Sequence, residues 1–225
     1  MTVAIKICCI ASEQELELAA AAGASAVGLV SAMPSGPGPI PEERIARLAA
    51  AAPRGLRTFL LTCQEVEAIV DQQRRCRATT LQLCDALPAG GYARLRDALP
   101  GVELVQVIHV RGRGSLDEAL AVAEHVDGLL LDSGNPALVV KELGGTGRVH
   151  DWEVSREICQ AVSIPVFLAG GLRADNVRAA IDLGRPYGVD VCSGVRTFFC
   201  RGRTSGKLDP AKLEEFVRAA RGPVQ

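Results

Sequence analysis

Two stretches near the end of the chain decide the fold: Val166-Phe167-Leu168-Ala169-Gly170-Gly171-Leu172 and Val189-Asp190-Val191-Cys192-Ser193-Gly194-Val195. Each is a short apolar run that enters a glycine-containing turn, and such turns leave backbone N–H groups free to surround an anion. In (β/α)8 barrels the phosphate site is commonly built by the loops after strands seven and eight. The two stretches therefore predict a barrel whose substrate carries a phosphate.

The rest of the chain repeats the same strand and helix alternation. Short β-branched or leucine-rich runs predict strands at 3–9, 25–30, 56–61, 79–83, 102–108, 127–131, 165–169 and 188–192. Apolar residues at helical spacing predict helices at 12–22, 41–51, 64–74, 88–98, 115–124, 152–161, 174–183 and 210–220. An open doubly wound sheet has the same alternation, but the first strand is not followed by a GxGxxG turn. We predict an α/β protein with a single-domain (β/α)8 TIM barrel over residues 1–225.

Composition favours small-molecule chemistry inside the cell. The 225 residues are 48% hydrophobic and 23% charged, with a formal net charge of −1, whereas nucleic-acid binding needs clustered Lys and Arg. The N-terminus enters the first strand without a long apolar run, so neither export nor membrane insertion is expected. The eight cysteines include no pair at CxxC spacing, and we interpret them as mostly reduced thiols. These features predict a cytoplasmic protein that binds neither nucleic acid nor membrane.

Cys8 lies where a strand of a barrel would reach the catalytic mouth. Strand periodicity puts Lys6 and Cys8 on one face, and the lone polar residue of this strand predicts that this face is the barrel interior. A cation close to a thiol lowers its pKa, so Lys6 favours a thiolate that accepts a proton. The alternative is that Cys8 is a small core residue, as free cysteines often are.

Asp132 ends the sixth predicted strand and precedes Ser133-Gly134. A carboxyl group there either shapes the loop or lies at the rim of the mouth. Together, one thiol and one carboxyl group at a phosphate-binding mouth supply a base and an acid, which suits proton transfer.

The chain resembles the phosphoribosylanthranilate isomerase family of tryptophan biosynthesis along nearly its whole length. The resemblance rests on six motifs in order, and Leu208-Asp209-Pro210 before the last helix also matches the family's ending. The motifs are Lys6-Ile7-Cys8, Leu81-Gln82-Leu83, Leu131-Asp132-Ser133, Gly144-Gly145-Thr146-Gly147 with Asp151-Trp152, Leu168 to Leu172 with Asn176-Val177, and Val189 to Val195.

The resemblance implies an Amadori rearrangement of an aminoaldose phosphate to an aminoketose phosphate, without a metal or redox cofactor. By this analogy Cys8 is the general base and Asp132 the general acid. The implied substrate and phosphate contacts are Lys6, Gly145, Gly170, Gly171, Ser193 and Gly194.

Three departures from the family pattern concern the pocket. Cys9 replaces a glycine beside the base, where its side chain is expected to crowd the substrate. Cys84 stands in place of a histidine. The loop at 34–39 has no arginine, although the family uses one there for the anthranilate carboxylate. Cys84 and Arg148 are candidates for the aglycone pocket, and we interpret Arg148, Arg196, Arg201 and Arg203 first as solvated surface charges.

Three functions fit these residues: a phosphoribosylanthranilate isomerase with a reshaped anthranilate pocket, a paralogue acting on a different aminoaldose phosphate, or a catalytically silent phosphosugar-binding barrel. Retention of both Cys8 and Asp132 favours the enzymes. His150 stands where the family has a phenylalanine before Asp151-Trp152, and it is either a polar contact or a loop residue. The sequence leaves monomer and homodimer open, and composition makes 34–39 a candidate lid.

Overall fold

Eight parallel strands close into one barrel in the order of the sequence, which confirms the predicted fold. The computed structural model describes residues 3–143, 149–197 and 206–222. The strands are β1 Ala4–Ile7, β2 Ala26–Val30, β3 Arg57–Thr62, β4 Thr80–Leu83, β5 Glu103–His109, β6 Gly128–Asp132, β7 Val166–Leu168 and β8 Gly188–Val191. The barrel closes where β1 pairs with β8, from Ala4 opposite Gly188 to Ile7 opposite Val191.

A helix follows each strand, and the helices form the outer layer. They are α1 Glu13–Ala21, α2 Glu42–Ala51, α3 Val66–Cys76, α4 Gly91–Ala98, α5 Gly114–Ala123, α6 Trp152–Ala161, α7 Val177–Gly184 and α8 Pro210–Arg221. Local chemistry explains several helix starts: the side chains of Ser12, Asp151 and Asp209 accept hydrogen bonds from backbone N–H groups of the first turns of α1, α6 and α8. A single 3₁₀ turn, Ser193–Val195, follows β8.

The alternating strand residues divide the core into two parts. Ile5 and Ile7 belong to the larger cluster between strands and helices, whereas Cys8, Phe59 and Phe167 belong to the cluster inside the barrel. The predicted inward direction of Cys8 is therefore confirmed. The first strand ends earlier than predicted because Cys9 has a left-handed φ of 64°, which a strand does not accommodate.

Three further predictions concern membrane insertion, the cysteines and several residues of the loops. In the described part of the chain, no helix is long and apolar enough to cross a membrane. The seven described cysteines form no disulfide with one another, and their reduced state stays a prediction. Gly145, Arg148, Arg201 and Arg203 lie outside the described residues.

The closure of the outer layer depends on apolar residues of α8. We expect Leu213→Ala to lower the free energy of unfolding by about 2–5 kcal/mol, because Leu213 is 1% exposed and its loss leaves a cavity. Leu120→Ala on α5 is the matched control, since Leu120 is 42% exposed. Urea unfolding followed by circular dichroism measures both. Equal midpoints for the two variants would contradict the packing described here.

Candidate active site

A pocket opens at the carboxyl ends of the strands, and the turns after β1, β6, β7 and β8 all reach it. It encloses about 700 Å³, including its open mouth. The predicted site residues among its lining are Cys8, Cys84, Asp132, Gly170, Gly171 and Ser193. The fold thus brings together in one cavity groups that are up to 185 positions apart in the sequence, from Cys8 to Ser193.

Lys6 lies beneath this pocket rather than on its surface. Its side chain is 0% exposed, and Nζ lies 2.9 Å from Oδ1 of Asp190 and 5.2 Å from the centre of the Phe59 ring. Burial alone would lower the pKa of Lys6, but the Asp190 carboxylate holds it above its usual value, so the amine stays charged. Its predicted role as a substrate or phosphate ligand stays a prediction, and Asp190 is its observed partner.

The Cys8 thiol is buried at the end of β1, where its backbone N–H donates to the carbonyl of Val191 at 2.8 Å. The neighbouring Cys9 side chain lowers the pKa of Cys8, and the Lys6 cation lowers it further, whereas burial and the Asp190 carboxylate oppose this shift. The Cys8 thiol therefore ionises more readily than a free cysteine. The source of the effect differs from expectation, because the neighbouring thiol contributes more than the lysine.

Cys9 has an unusual backbone conformation. A left-handed residue other than glycine costs about 1–2 kcal/mol, and Cys9 has a φ of 64°. Its Sγ lies 2.8 Å from Sγ of Cys192 and 3.6 Å from the carbonyl oxygen of Pro37. Hydrogen bonding with Cys192 and Cys8 raises the pKa of Cys9, so this thiol stays protonated. Its S–H donates to the Pro37 carbonyl, and its sulfur accepts from the Cys192 thiol. Cys9 also lines the pocket, as the expected crowding requires.

Asp132 is the last residue of β6, and its carboxyl group faces the turn after β7. Oδ1 accepts a hydrogen bond from the Ser133 N–H at 2.7 Å. A methyl group at Gly170 would lie 3.2 Å from this Oδ1 and 3.0 Å from Nδ1 of His150. Because Gly170 has no side chain, the Asp132 carboxyl group can lie close to the turn after β7.

His150 lies beside the Gly170 turn, close to Asp132. Nε2 lies 2.7 Å from Oγ of Ser155, and Nδ1 is buried without a hydrogen-bond partner among the described residues. Burial lowers the pKa of His150, although Asp132 and Asp151 oppose that shift, so the ring is neutral at pH 7. No sequence signal marks it, because its place beside Gly170 depends on the path of the loop after β6.

The two predicted phosphate turns come together at one side of the pocket. Gly170 and Gly171 have φ values of 80° and 64°, which explains why glycine occupies both positions. A methyl group at Gly194 would overlap the carbonyl oxygen of Leu172, so the turns after β7 and β8 pack closely only with glycine there. These two turns are the part of the pocket best suited to an anion.

The family model for N-(5'-phosphoribosyl)anthranilate (PRA) isomerase matches residues 5–219. This chain belongs to that family. The assignment confirms the predicted isomerase class and the predicted link to tryptophan biosynthesis.

Individual members of the family are similar over nearly their whole lengths. The N-(5'-phosphoribosyl)anthranilate isomerase of Haloferax volcanii is 38% identical over 219 residues, which cover 96% of this chain and 92% of the relative. The crystal structure of the phosphoribosyl anthranilate isomerase of Thermotoga maritima superimposes with a TM-score of 0.82 at 27% identity, covering 98% of this chain and all of that one. A structure of such an isomerase in complex with reduced 1-(o-carboxyphenylamino)-1-deoxyribulose 5-phosphate gives a TM-score of 0.80 at 26% identity, with the same coverage.

The side of the pocket away from the phosphate turns differs from the family pattern. The described lining residues include no Lys or Arg, and Met33, Pro37, Leu61 and Leu143 make this side largely apolar. The Cys84 thiol is buried there. Burial raises the pKa of Cys84, so this thiol lines the pocket as an uncharged group. At the mouth, Lys141 forms an ion pair with Asp85.

Arg196 corrects one interpretation made from the sequence. The sequence predicts a solvated surface charge, but this prediction is wrong: Arg196 is buried, and its Nη1 lies 3.0 Å from Oε1 of Glu15. The side chain belongs to the support beneath Cys8 and Cys9. Among the described residues, no group of three or more His, Cys, Asp or Glu side chains is arranged to hold a metal ion.

The thiol contacts predict a specific change in the reactivity of Cys8. Cys9→Gly removes the neighbouring side chain that lowers the pKa of Cys8, so we expect the pH midpoint of Cys8 alkylation by iodoacetamide to rise. Peptide mass spectrometry separates Cys8 from the other thiols. Cys159→Ala, on α6, is the control and should leave the midpoint unchanged. If the pH midpoint of Cys8 alkylation stays the same or falls in Cys9→Gly, the Cys9 side chain does not lower the pKa of Cys8.

Proposed function

We propose that this protein converts N-(5-phosphoribosyl)anthranilate to 1-(o-carboxyphenylamino)-1-deoxyribulose 5-phosphate by an Amadori rearrangement. The observation that carries the proposal is that Cys8, Asp132 and both phosphate turns line one pocket in a chain of this family. The reaction opens the C1–O bond of the sugar ring and transfers a proton from C2 to C1, so it requires an acid, a base and a place for the phosphate.

Asp132 is the proposed general acid. Its protonated carboxyl group would donate to the ring oxygen of the sugar, which opens the ring to a protonated Schiff base. The position of Asp132 at the end of β6, within reach of the Gly170 turn, supports this role.

Cys8 is the proposed general base. The iminium group of the Schiff base acidifies the neighbouring C–H bond, and the thiolate would remove the proton from C2 of the sugar. The C–H electron pair then forms the enolamine, which tautomerises to the ketone, so that substrate and product have the same atoms. The lowered pKa of Cys8 supports this role because it favours the thiolate.

The phosphate would bind between the turns after β7 and β8. Gly170, Gly171, Ser193 and Gly194 are its proposed contacts, supported by the left-handed glycines and the close packing of the two turns. Gly145 is a further proposed contact that lies outside the described residues, and Arg148 likewise remains a proposed part of the aglycone pocket. With the phosphate there, the aglycone would extend toward the apolar side near Met33 and Leu143.

One observation favours a second candidate, in which the same proton transfers act on a different aglycone. The described lining of the pocket contains no Lys or Arg to pair with the anthranilate carboxylate. An unpaired carboxylate loses a charge-assisted hydrogen bond, which is worth about 1.5–3 kcal/mol. An aminoaldose phosphate with an apolar aglycone would meet no such penalty.

Turnover tests the proposal directly. Freshly prepared N-(5-phosphoribosyl)anthranilate is mixed with the enzyme, and the loss of its fluorescence is followed against a blank without enzyme. We expect Cys8→Ala and Asp132→Asn each to lower kcat by about 10²–10⁴-fold, since each removes one proton-transfer group.

Cys159→Ala and Asp182→Asn are matched controls, because both residues lie in outer helices and Asp182 makes only an exposed ion pair with Arg178. Both should retain full activity. Wild-type turnover that survives in Cys8→Ala would refute the assigned base. Absence of wild-type turnover, with ribulose 5-phosphate still raising the melting temperature, would support the second candidate.

A further inference from the structure

Arg196 connects the end of the barrel to the backbone of Cys8 and Cys9. It follows the 3₁₀ turn after β8 and is 4% exposed. Nη2 donates to the carbonyl oxygen of Cys9 at 2.6 Å and to that of Cys8 at 3.2 Å. One guanidinium group therefore holds two successive carbonyls at the end of β1.

Glu15 fixes the guanidinium in turn. Its carboxylate accepts from Nη1 of Arg196 at 3.0 Å, from the Ala11 N–H at 2.9 Å and from the Leu208 N–H at 2.9 Å. Burial would raise the pKa of Glu15, but the hydrogen bonds from Arg196 and Leu208 keep it below its usual value. The carboxylate is thus ionised, and it joins the loop after β1 to the segment before α8.

The geometry suits arginine in particular. A guanidinium presents several N–H donors in one plane, so it bonds the carboxylate and the two carbonyls at the same time. Nη1 additionally donates to the carbonyl of Gly206 at 3.0 Å. The ammonium group of a lysine is a single donor centre and does not reproduce this set of contacts.

The backbone that Arg196 holds is the part of β1 that needs external support. Cys9 is in the left-handed region, so the peptide after Cys8 turns away from the strand direction. On the other side of the seam, the Cys8 N–H is bound to Val191. With the N–H and the carbonyl of Cys8 both fixed, the direction of its thiol is fixed as well.

We propose that Arg196, held by Glu15, is a positioning residue that orients the Cys8 thiol toward the substrate. This inference rests on the proposed role of Cys8 as the base. Arg196 lies behind the turn and does not line the pocket, so it acts through the backbone of Cys8 and Cys9 rather than on the substrate.

The test compares Arg196→Lys and Glu15→Gln with Arg178→Lys. Arg178 also bonds a carbonyl, that of Ala220, and a carboxylate, that of Asp182, but it lies far from the pocket. We expect each of the first two variants to lower kcat by about 10–100-fold with KM changed less than threefold, as expected for a misplaced group. In both of these variants the pH midpoint of Cys8 alkylation should rise, because the Cys8 thiol moves away from Cys9 and Lys6. Arg178→Lys should match the wild type in both measurements.

Several results would overturn the inference. One is a folded Arg196→Lys enzyme with wild-type kcat and wild-type Cys8 alkylation, and another is a lowered melting temperature with an unchanged alkylation profile, which marks a purely structural role. If Arg196→Lys does not fold, Glu15→Gln decides by the same measurements, since it preserves the shape of the side chain. Alkylation of Cys8 requires no substrate, so it tests the positioning even if phosphoribosylanthranilate is not turned over.

Discussion

The site depends on the seam between β1 and β8, where the buried Lys6–Asp190 ion pair lies at matching register positions. Removing one member of such a pair leaves an uncompensated buried charge, which costs about 3–5 kcal/mol. The same register places Cys8, two residues beyond Lys6, level with the start of the turn after Asp190. The pairing that closes the barrel therefore also sets the proposed base beside the proposed phosphate turn.

Two buried ion pairs lie on opposite sides of this seam. Lys6–Asp190 is inside the barrel, whereas Arg196–Glu15 joins the end of β8 to the outer layer through α1. Cys8 lies between them and receives the positive charge of Lys6 directly and backbone support from Arg196. Since each cation has its own carboxylate, neither a lysine nor an arginine is left buried without a counter-charge beside Cys8.

The fold, and the position of Cys8, Asp132 and the two glycine turns at one pocket, were predictable because their signals are local. Alternating apolar runs set the strands and helices, and Gly170 and Gly171 mark a turn that only glycine adopts easily. The left-handed Cys9, the burial of Arg196 and the position of His150 were not predictable, because each depends on contacts between residues remote in the sequence. Arg196 illustrates this best, since its carboxylate partner, Glu15, is 181 positions away.

The packing around Cys9 constrains how this pocket can change over evolutionary time. A side chain at Gly38 would meet Cβ of Cys9 at 2.7 Å, and the Cys192 thiol already contacts Sγ of Cys9. Cys9 thus fills the space between two loops that follow different strands, and a larger residue at position 38 or 192 would press against it. A chain of this lineage is expected to accept a larger residue at either position once position 9 has become smaller.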